Sequence, residues 1–585
     1  MASTDRNVDR RSFLKAAGGA AAATTLAGCG GSPTETATDE PADDDTPAGD
    51  DTPTDTPSPT EGGMEPEGTL VFSRGSHSQT LDPQQTTSGE DVKVTNQMYN
   101  QLIQFAPGGG GTLEEGLASE WSLEGTTATL TLKEGISFHN GEEFTASDFR
   151  ATFRRFTDSE YEYYLGDAAS GYAGFTLGSW IDSVDDSSDY ELTIELTQQY
   201  APFLRNLAMF ASSVISEARI EELGSDQAQL GQEYGGAGTG PFQLDTLDNS
   251  NERILLTANT EFWGRGPFVA EVIFNTIGEN STRAQSLING ESHLIDGIGA
   301  QASQQIQDAG SAELLQKDGI NIGYMAMNQA NVEPFRSKEV RQAISYAINT
   351  EAIVNNIYEG FASQADQPIP PNVLGYNDDL DPYPQDKDQA QTLLEEAGYG
   401  DGFSFELATF KNPRGYNPSP IQTAEQVRSD LSDIGIEVTI NQQSFGPFLD
   451  YTLAGKHDAC FLGWYTDNAD PDNFYYALLH PQVGEDVLGD SEYMTWDMEN
   501  INGLNVAAYA NREYMTLVEE GQQTYDEAER RSKYEQAGQI AHDDAPWVFI
   551  DYAKTLEGMN TEVVDPDTYT LSSIGGPYVN TIQLN

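Results

Sequence analysis

Two periodicities run along this chain. Apolar and polar residues alternate with period two in ATLTLKEGISFHNGEEF (128–144), which turns at Asn140-Gly141 and predicts a β-hairpin region, and in YELTIELTQ (190–198), which predicts a second strand. Elsewhere the period lengthens to that of a helix. VRQAISYAINTEAIVNNIYEG (340–360) places Val340, Ile344, Ala347 and Ile348 on one helical face, with an interruption at Asn349-Thr350. DQAQTLLEEAGY (388–399) predicts a helix closed by Gly398. FSFELATF (403–410), a helix over 422–434 and GIEVTI (435–440) form a β-α-β pattern. Strands alternating with helices predict mixed α/β sheets, with ligands at the carboxyl ends of strands.

The first 64 or so residues carry neither pattern. DRRSFLK (9–15) holds the twin arginines Arg10 and Arg11, and the alanine-rich run behind it is too short to span a bilayer. It resembles a twin-arginine export signal, and LAGC (26–29) matches a lipobox whose cleavage leaves Cys29 as a lipidated N-terminus. From Ser32 to about Pro66 the chain is Thr, Pro, Asp, Glu, Ser and Gly, an extended charged tether. Anchor, tether and globule together predict a protein held at the outer face of the cell membrane. Cys460 is the only other cysteine, so a lipidated Cys29 leaves no intramolecular disulfide.

With 585 residues, two or three domains are expected. Charge then narrows the function: 94 acids face 29 Lys and Arg, for a net charge of −65. A nucleic-acid partner is excluded, because phosphate binding needs clustered positive charge. A dispersed acidic excess suits hydration in molar salt, where the Debye length falls to about 3 Å, and predicts a halophilic source.

Catalytic patterns are missing from the sequence. There is no G-x-S-x-G elbow and no HExxH helix, and the six His are scattered. His139, before the Asn140-Gly141 turn, reads as a solvated loop residue. No cofactor is expected. The unusual stretch is LGWYTDNADPDNFYYALL (462–479), where an apolar strand runs straight into Asp467, Asp470 and Asp472. Neither register of an EF-hand fits it. Asp470 with Pro471 reads as turn chemistry, and Asp472 as a cap for the helix that follows. Asp467, desolvated beside Trp464 and Tyr465, is left needing a cation, and a ligand ammonium would serve. The opposite charge lies in KNPRGYNPSP (411–420), where Lys411 and Arg414 follow another strand; Arg414 is either a carboxylate fork or a surface ion pair.

Seven stretches, in order, resemble one family: LDPQQTTSG (81–89), LKEGISFHNGEEFTASD (132–148), GTGPF (238–242), FRSKEVRQAISYAIN (335–349), IPPNVLGYNDD (369–379), TLLEEAGY (392–399) and GWYTDNADPDNF (463–474). They resemble the peptide and nickel class of extracytoplasmic solute-binding proteins of ABC importers, above all its dipeptide-binding branch. That resemblance implies a two-lobed clamp of the large three-domain type. Its expected division is 1–29 signal, 30–67 tether, 68–105 with 236–315 and 545–585 as lobe I, 106–235 as an extra domain II, and 316–544 as lobe III. It further implies that Asp467 takes a peptide's α-amino group and Arg414 its α-carboxylate. Gly463, Trp464 and Tyr465 would wall the site, Tyr416 would pack beside Arg414, and Ser88 and Gly89 would face it from the other lobe. The expected partners are a small peptide, the permease subunits of an ABC importer and the membrane through Cys29, with the protein acting as a monomer and without catalysis. Alternatives are a longer peptide, a glutathione-like thiol, haem or a metal chelate as ligand, a secreted hydrolase pairing Asp467 with Asp470, and a surface adhesion lipoprotein. The bacterial branch often carries a disulfide that this chain cannot form, and the nickel-binding members' His has no counterpart near Trp464.

Overall fold

A computed structural model describes residues 65–585, apart from 231–236, 412 and 490. The twin arginines, Cys29 and nearly all of the expected tether lie outside the described residues.

The chain enters a large sheet as β1 (Thr69–Arg74), leaves it for the short hairpin β2 (Ile103–Phe105) and β3 (Leu113–Glu115), and then builds a separate antiparallel sheet. That sheet comprises β4 (Ala118–Glu124), β5 (Thr127–Leu132), β6 (Ile181–Asp185) and β7 (Glu191–Leu196), in the order β4-β5-β7-β6. The alternation in β7 works as expected, with Leu192, Ile194 and Leu196 buried. The predicted 128–144 hairpin holds only at its tip, where Phe138 N donates to Glu142 O and Phe144 N to Ile136 O, both at 2.8 Å, around the Ser137–Glu143 bridge; β5 instead pairs with β4 and β7. Cross-strand partners from far along the chain outcompete the local turn.

The chain then returns to the large sheet through β8 (Phe242–Asp248), β9 (Arg253–Ala258), β10 (Glu271–Thr276), β11 (Leu294–Asp296) and β12 (Ala312–Asp318). It continues through β13 (Asn321–Met327), β14 (Ala362–Gln364), β15 (Ser404–Phe410), β16 (Glu437–Gln443), β17 (Ala459–Tyr465) and β18 (Trp547–Asn560). The sheet has 12 strands in the order β16-β15-β17-β13-β18-β11-β1-β10-β9-β8, with β12 and β14 also on β18. Pairing is parallel for β15 with β16 and with β17, and antiparallel for β13 with β17 and β18, so the sheet is mixed. Its central strands are covered on both faces. All seven residues of β13 are buried, as are the first six of β17, which is why both read as unbroken apolar runs.

β18 ties two halves together. Its first half pairs with β13 and β14, its second with β11 and β12. The other crossing is the short link from β12 to β13. Asn321 locks the two crossings, its side chain donating to Ala553 O and accepting from Ala553 N, both at 2.8 Å.

The helical expectation for 340–360 holds in part. A helix spans Lys338–Ala347, then Asn349 accepts from Ala352 N at 2.8 Å and restarts the chain in a short, wider-wound turn over Ile353–Ile357. The β-α-β pattern is present as β15, the helix Pro420–Ser432 and β16.

Candidate functional site

β15 and β17 run parallel as neighbours, with Leu407 opposite Ala459 and Ala408 opposite Cys460. The loops that follow them therefore leave the sheet at the same end. This register brings the loops that carry Arg414 and Asp467, fifty-three residues apart in sequence, to the same end of the sheet.

At the end of β17 successive side chains point to opposite faces. Trp464 turns inward, 1% exposed, and its indole N–H donates to Asn473 Oδ1 at 2.8 Å. Tyr465 turns outward and keeps 37% of its surface open. Its hydroxyl lies against Gly415 so closely that a Cβ there would collide with it, and its ring centre stands 6.2 Å from that of Tyr416. Tyr416 in turn lies on Gly463, where a Cβ would strike the ring. Gly463 thus seats Tyr416, and Tyr465 bridges the two loops.

Arg414 sits in a tight turn, exchanging backbone hydrogen bonds with Asn417 at 3.0 Å in both directions. Its guanidinium carbon stands 3.7 Å from the centre of the Phe445 ring. Its Nε is buried without a partner, and among the described residues no carboxylate pairs with it. Burial draws its pKa down, with Tyr416 the only opposing influence. A surface ion pair would have an acid beside it; among the described residues Arg414 has none. Lys411, in the same loop, is exposed.

Asp467 is half-buried deep in the fold and accepts a 2.6 Å hydrogen bond from the Tyr172 hydroxyl. Burial pushes its pKa up to about 6, against the smaller opposing influence of that bond. Asp467, Arg414 and Tyr465 share one character: each lies deep yet keeps some open surface, as groups lining an internal cleft do.

The other two acids only partly follow expectation. Asp470 does make the expected turn, its Oδ1 accepting from Asp472 N at 3.0 Å and its carbonyl from Asn473 N at 3.1 Å, but not at the surface. It is fully buried and gripped by Arg530 through two bonds of 2.8 and 2.7 Å. Burial alone would raise its pKa, but the Arg530 charge holds it below the ordinary value. Asp472 does not cap a helix: its oxygens accept from Gln522 at 2.7 Å and Tyr200 at 3.1 Å, and burial followed by the Asp470 charge pushes it up to about 7. Their loop is docked by residues of 106–235. Arg205 donates to Asn468 O at 3.3 Å, and Asn468 to Asn206 Oδ1 at 3.0 Å.

Ser88 caps the helix Gly89–Met98, accepting from Glu90 N at 3.2 Å, and Gly89 faces open space. No hydrogen bond among the described residues joins them to Arg414 or Asp467. His139 is held against Gly240 O at 2.9 Å, and burial lowers its pKa to about 4, so it is no freely solvated loop residue. Among the described residues no three His, Cys, Asp or Glu converge as a metal site. Sequence reasoning missed Tyr172 and Arg530, which act across 295 and 60 positions with no local signal.

Comparison with known proteins gives the family. The model of bacterial extracellular solute-binding proteins, family 5 Middle, matches residues 112–486, and a twin-arginine translocation signal matches residues 7–27. The dipeptide-binding protein of Escherichia coli K12 is 29% identical over 513 residues, covering 85% of this chain and 92% of that one. A periplasmic binding protein from Helicobacter pylori, solved in complex with the peptide STSA, is 30% identical with a TM-score of 0.72, covering 88% of this chain and 98% of its own. A dipeptide-binding protein of a Pseudoalteromonas species, solved with Met-Leu, is 25% identical with a TM-score of 0.72, covering 88% and 100%. No described helix is long and apolar enough to cross a membrane.

Proposed function

This chain belongs to the bacterial extracellular solute-binding proteins of family 5, and from that premise we propose that it captures dipeptides outside the cell for an ABC importer. One observation carries the reading: two opposite charges, Asp467 and Arg414, follow neighbouring strands at the same end of one sheet, and among the described residues neither has an opposite charge of its own. A zwitterion with its ends a fixed distance apart supplies both. Its ammonium would replace the neutral Tyr172 hydroxyl as the main partner of Asp467, and its carboxylate would meet the Arg414 fork. An amide in place of that carboxylate would leave the fork unmatched, so two-residue ligands are favoured over longer ones. Contacts of this kind ignore side chains and select length. Gly463, Tyr465 and Tyr416 shape the wall, Trp464 braces it from behind, and Ser88 and Gly89 would close on it from the lobe that carries β1.

The same reading divides the chain into lobe I (68–105, 236–315 and 545–585), domain II (106–235) and lobe III (316–544). The signal match fits export to the extracytoplasmic space; a lipid on Cys29 and an acidic tether would hold a monomer near its permease. Nothing in the loop favours hydrolysis by paired acids, since Asp470 is already neutralised by Arg530.

A second reading has one specific support. The Helicobacter pylori relative was solved with STSA, so a longer peptide is the competing ligand. Calorimetric titration of the protein in molar salt separates the two. Dipeptides should bind at one site, and N-acetylated dipeptides and tetrapeptides should not, with binding lost in Asp467→Ala. Heat from tetrapeptides but not dipeptides would reject the length filter; silence with every peptide would reject peptide capture.

A further inference from the structure

Asp551 lies on β18 at the point where that strand passes from β13 and β14 toward β11 and β12. It is 0% exposed, and neither of its carboxylate oxygens has a hydrogen-bond partner among the described residues. No cation faces it there. Its electrostatic neighbours are the phenols of Tyr358, Tyr416 and Tyr465, two of them in the candidate site.

The local geometry shows what is missing. Asp551 is paired with Gly323 on β13, and a Cβ on Gly323 would meet both Asp551 Oδ1 and, at 2.6 Å, the backbone oxygen of Tyr416. Two acceptors thus converge over a bare glycine Cα with no donor between them. Tyr416 is two residues past Arg414, the group read above as the receptor for the ligand's carboxylate. Its phenol and that of Tyr465 both feel the Asp551 charge, and both belong to the segments a ligand would engage.

A buried carboxylate with no partner is costly by several kcal/mol and resolves either by holding a proton or by meeting a cation. Burial does push the Asp551 pKa well above the usual carboxylate range. A lysine-type ammonium is a compact head with three donors on a four-carbon stem, which suits two buried acceptors that lack a donor.

Building on the dipeptide reading, we propose that Asp551 and the Tyr416 carbonyl form an ammonium subsite for a basic side chain on the carboxyl-terminal residue of the ligand. Peptide length is then selected by Asp467 and Arg414, and side-chain charge by Asp551. A fully buried acid with no salt partner makes the site discriminate by sign: a basic side chain brings the missing donor, and an acidic one brings a second acceptor.

Titration of the protein with Ala-Lys, Ala-norleucine, Ala-Glu and Lys-Ala tests this without any substitution. Ala-Lys should bind at least about tenfold tighter than the uncharged, equally long Ala-norleucine, Ala-Glu more weakly than either, and Lys-Ala without the gain. Asp551→Asn should bring Ala-Lys to the level of Ala-norleucine while leaving Ala-norleucine within about threefold of its original affinity. Equal binding of Ala-Lys and Ala-norleucine by the unaltered protein would overturn the subsite and leave the dipeptide reading standing; Asp551 would then hold only a proton. A gain for Lys-Ala instead of Ala-Lys would also overturn it, by placing the charge preference at the amino end. Failure of Ala-norleucine and Ala-Lys alike to bind would overturn the dipeptide reading and this inference with it.

Discussion

The Tyr172 hydroxyl donates to Asp467 Oδ2 at 2.6 Å, so the acid proposed to receive the ligand amine is held by a neutral donor from 295 positions away. A phenol orients a carboxylate but does not neutralise it, and burial therefore dominates, raising the Asp467 pKa from 3.8 to about 6. The sign follows. Between those two values the empty folded protein binds a proton that the unfolded chain has released, so ionising Asp467 costs the empty fold stability as pH rises to about 6. An ammonium ligand reverses this preference, since it needs the carboxylate.

Dipeptide affinity should therefore be highest near pH 7, fall by about tenfold per unit as the pH drops below 6, and fall again above about pH 8 as the ligand's α-amino group loses its proton. Binding near pH 6 should release a proton, which calorimetry in buffers of different ionisation heat detects. Tyr172→Phe should raise the midpoint and leave the fold intact. Affinity unchanged from pH 7.5 to 5 would remove Asp467 from the amine site.

Arg414 offers a second check. Its guanidinium stacks on Phe445 and meets no acid among the described residues, so its removal should cost binding more than stability. Arg414→Lys keeps the charge but loses the planar fork and the stack, and should weaken dipeptides by about 2 kcal/mol, near thirtyfold. Melting temperature should move by no more than a few degrees. A large loss of stability with unaltered affinity would make Arg414 a structural residue.

The mixed sheet and the β-α-β unit were legible because each rests on local periodicity, and the turn at Asp470 because Asp-Pro is local turn chemistry. The side-chain partners of Asp470 and Asp472 were not. Asp-Pro-Asp has the local chemistry of a turn and a cap, and nothing near it announces Arg530, Gln522 or Tyr200. The same holds for the 128–144 hairpin, where the Asn140-Gly141 signal is real but β5 takes its partners from β4 and β7. Local turn signals fix a bend; they do not choose the strand that comes to lie beside it. Asp551 is hidden for a related reason: in VFID the acid looks like the end of an apolar strand, and only the register opposite Gly323 shows that its oxygens are alone.

The Asp470–Arg530 pair sits at 0% and 8% side-chain exposure and anchors the loop that carries Asp467. Molar salt screens surface pairs but reaches this one far less. Arg530→Met should leave a buried unpaired carboxylate and cost about 3–5 kcal/mol in denaturant titration, at high salt as at low. Adding Asp470→Asn should recover a good part of it. Because the depressed Asp470 pKa contributes stability above the unfolded value of 3.8, that contribution should be lost as the pH falls below about 4. A variant as stable as the parent would mean that Arg205, 3.7 Å from Asp470, takes over the charge.

Asn321 controls the crossings between the two halves of the large sheet. It is fully buried, and its one side chain serves both the N–H and the carbonyl of Ala553, a backbone position where β18 changes partners. Gly319 packs so tightly beside it that a Cβ would collide with the Asn321 amide and with the Ala553 carbonyl. Asn321→Ala would strand both Ala553 groups without access to water, at about 1–3 kcal/mol for each. Asn321→Asp would keep an acceptor for the N–H while turning a second oxygen against the Ala553 carbonyl, so it too should destabilise. If the protein closes over its ligand as proposed, the two halves must meet at a fixed angle across these strands, and both variants should also broaden the small-angle scattering profile of the ligand-free protein and weaken dipeptides of every sequence alike. Loss of stability with an unchanged scattering profile would make Asn321 a buried hydrogen-bonding residue with no part in setting that angle.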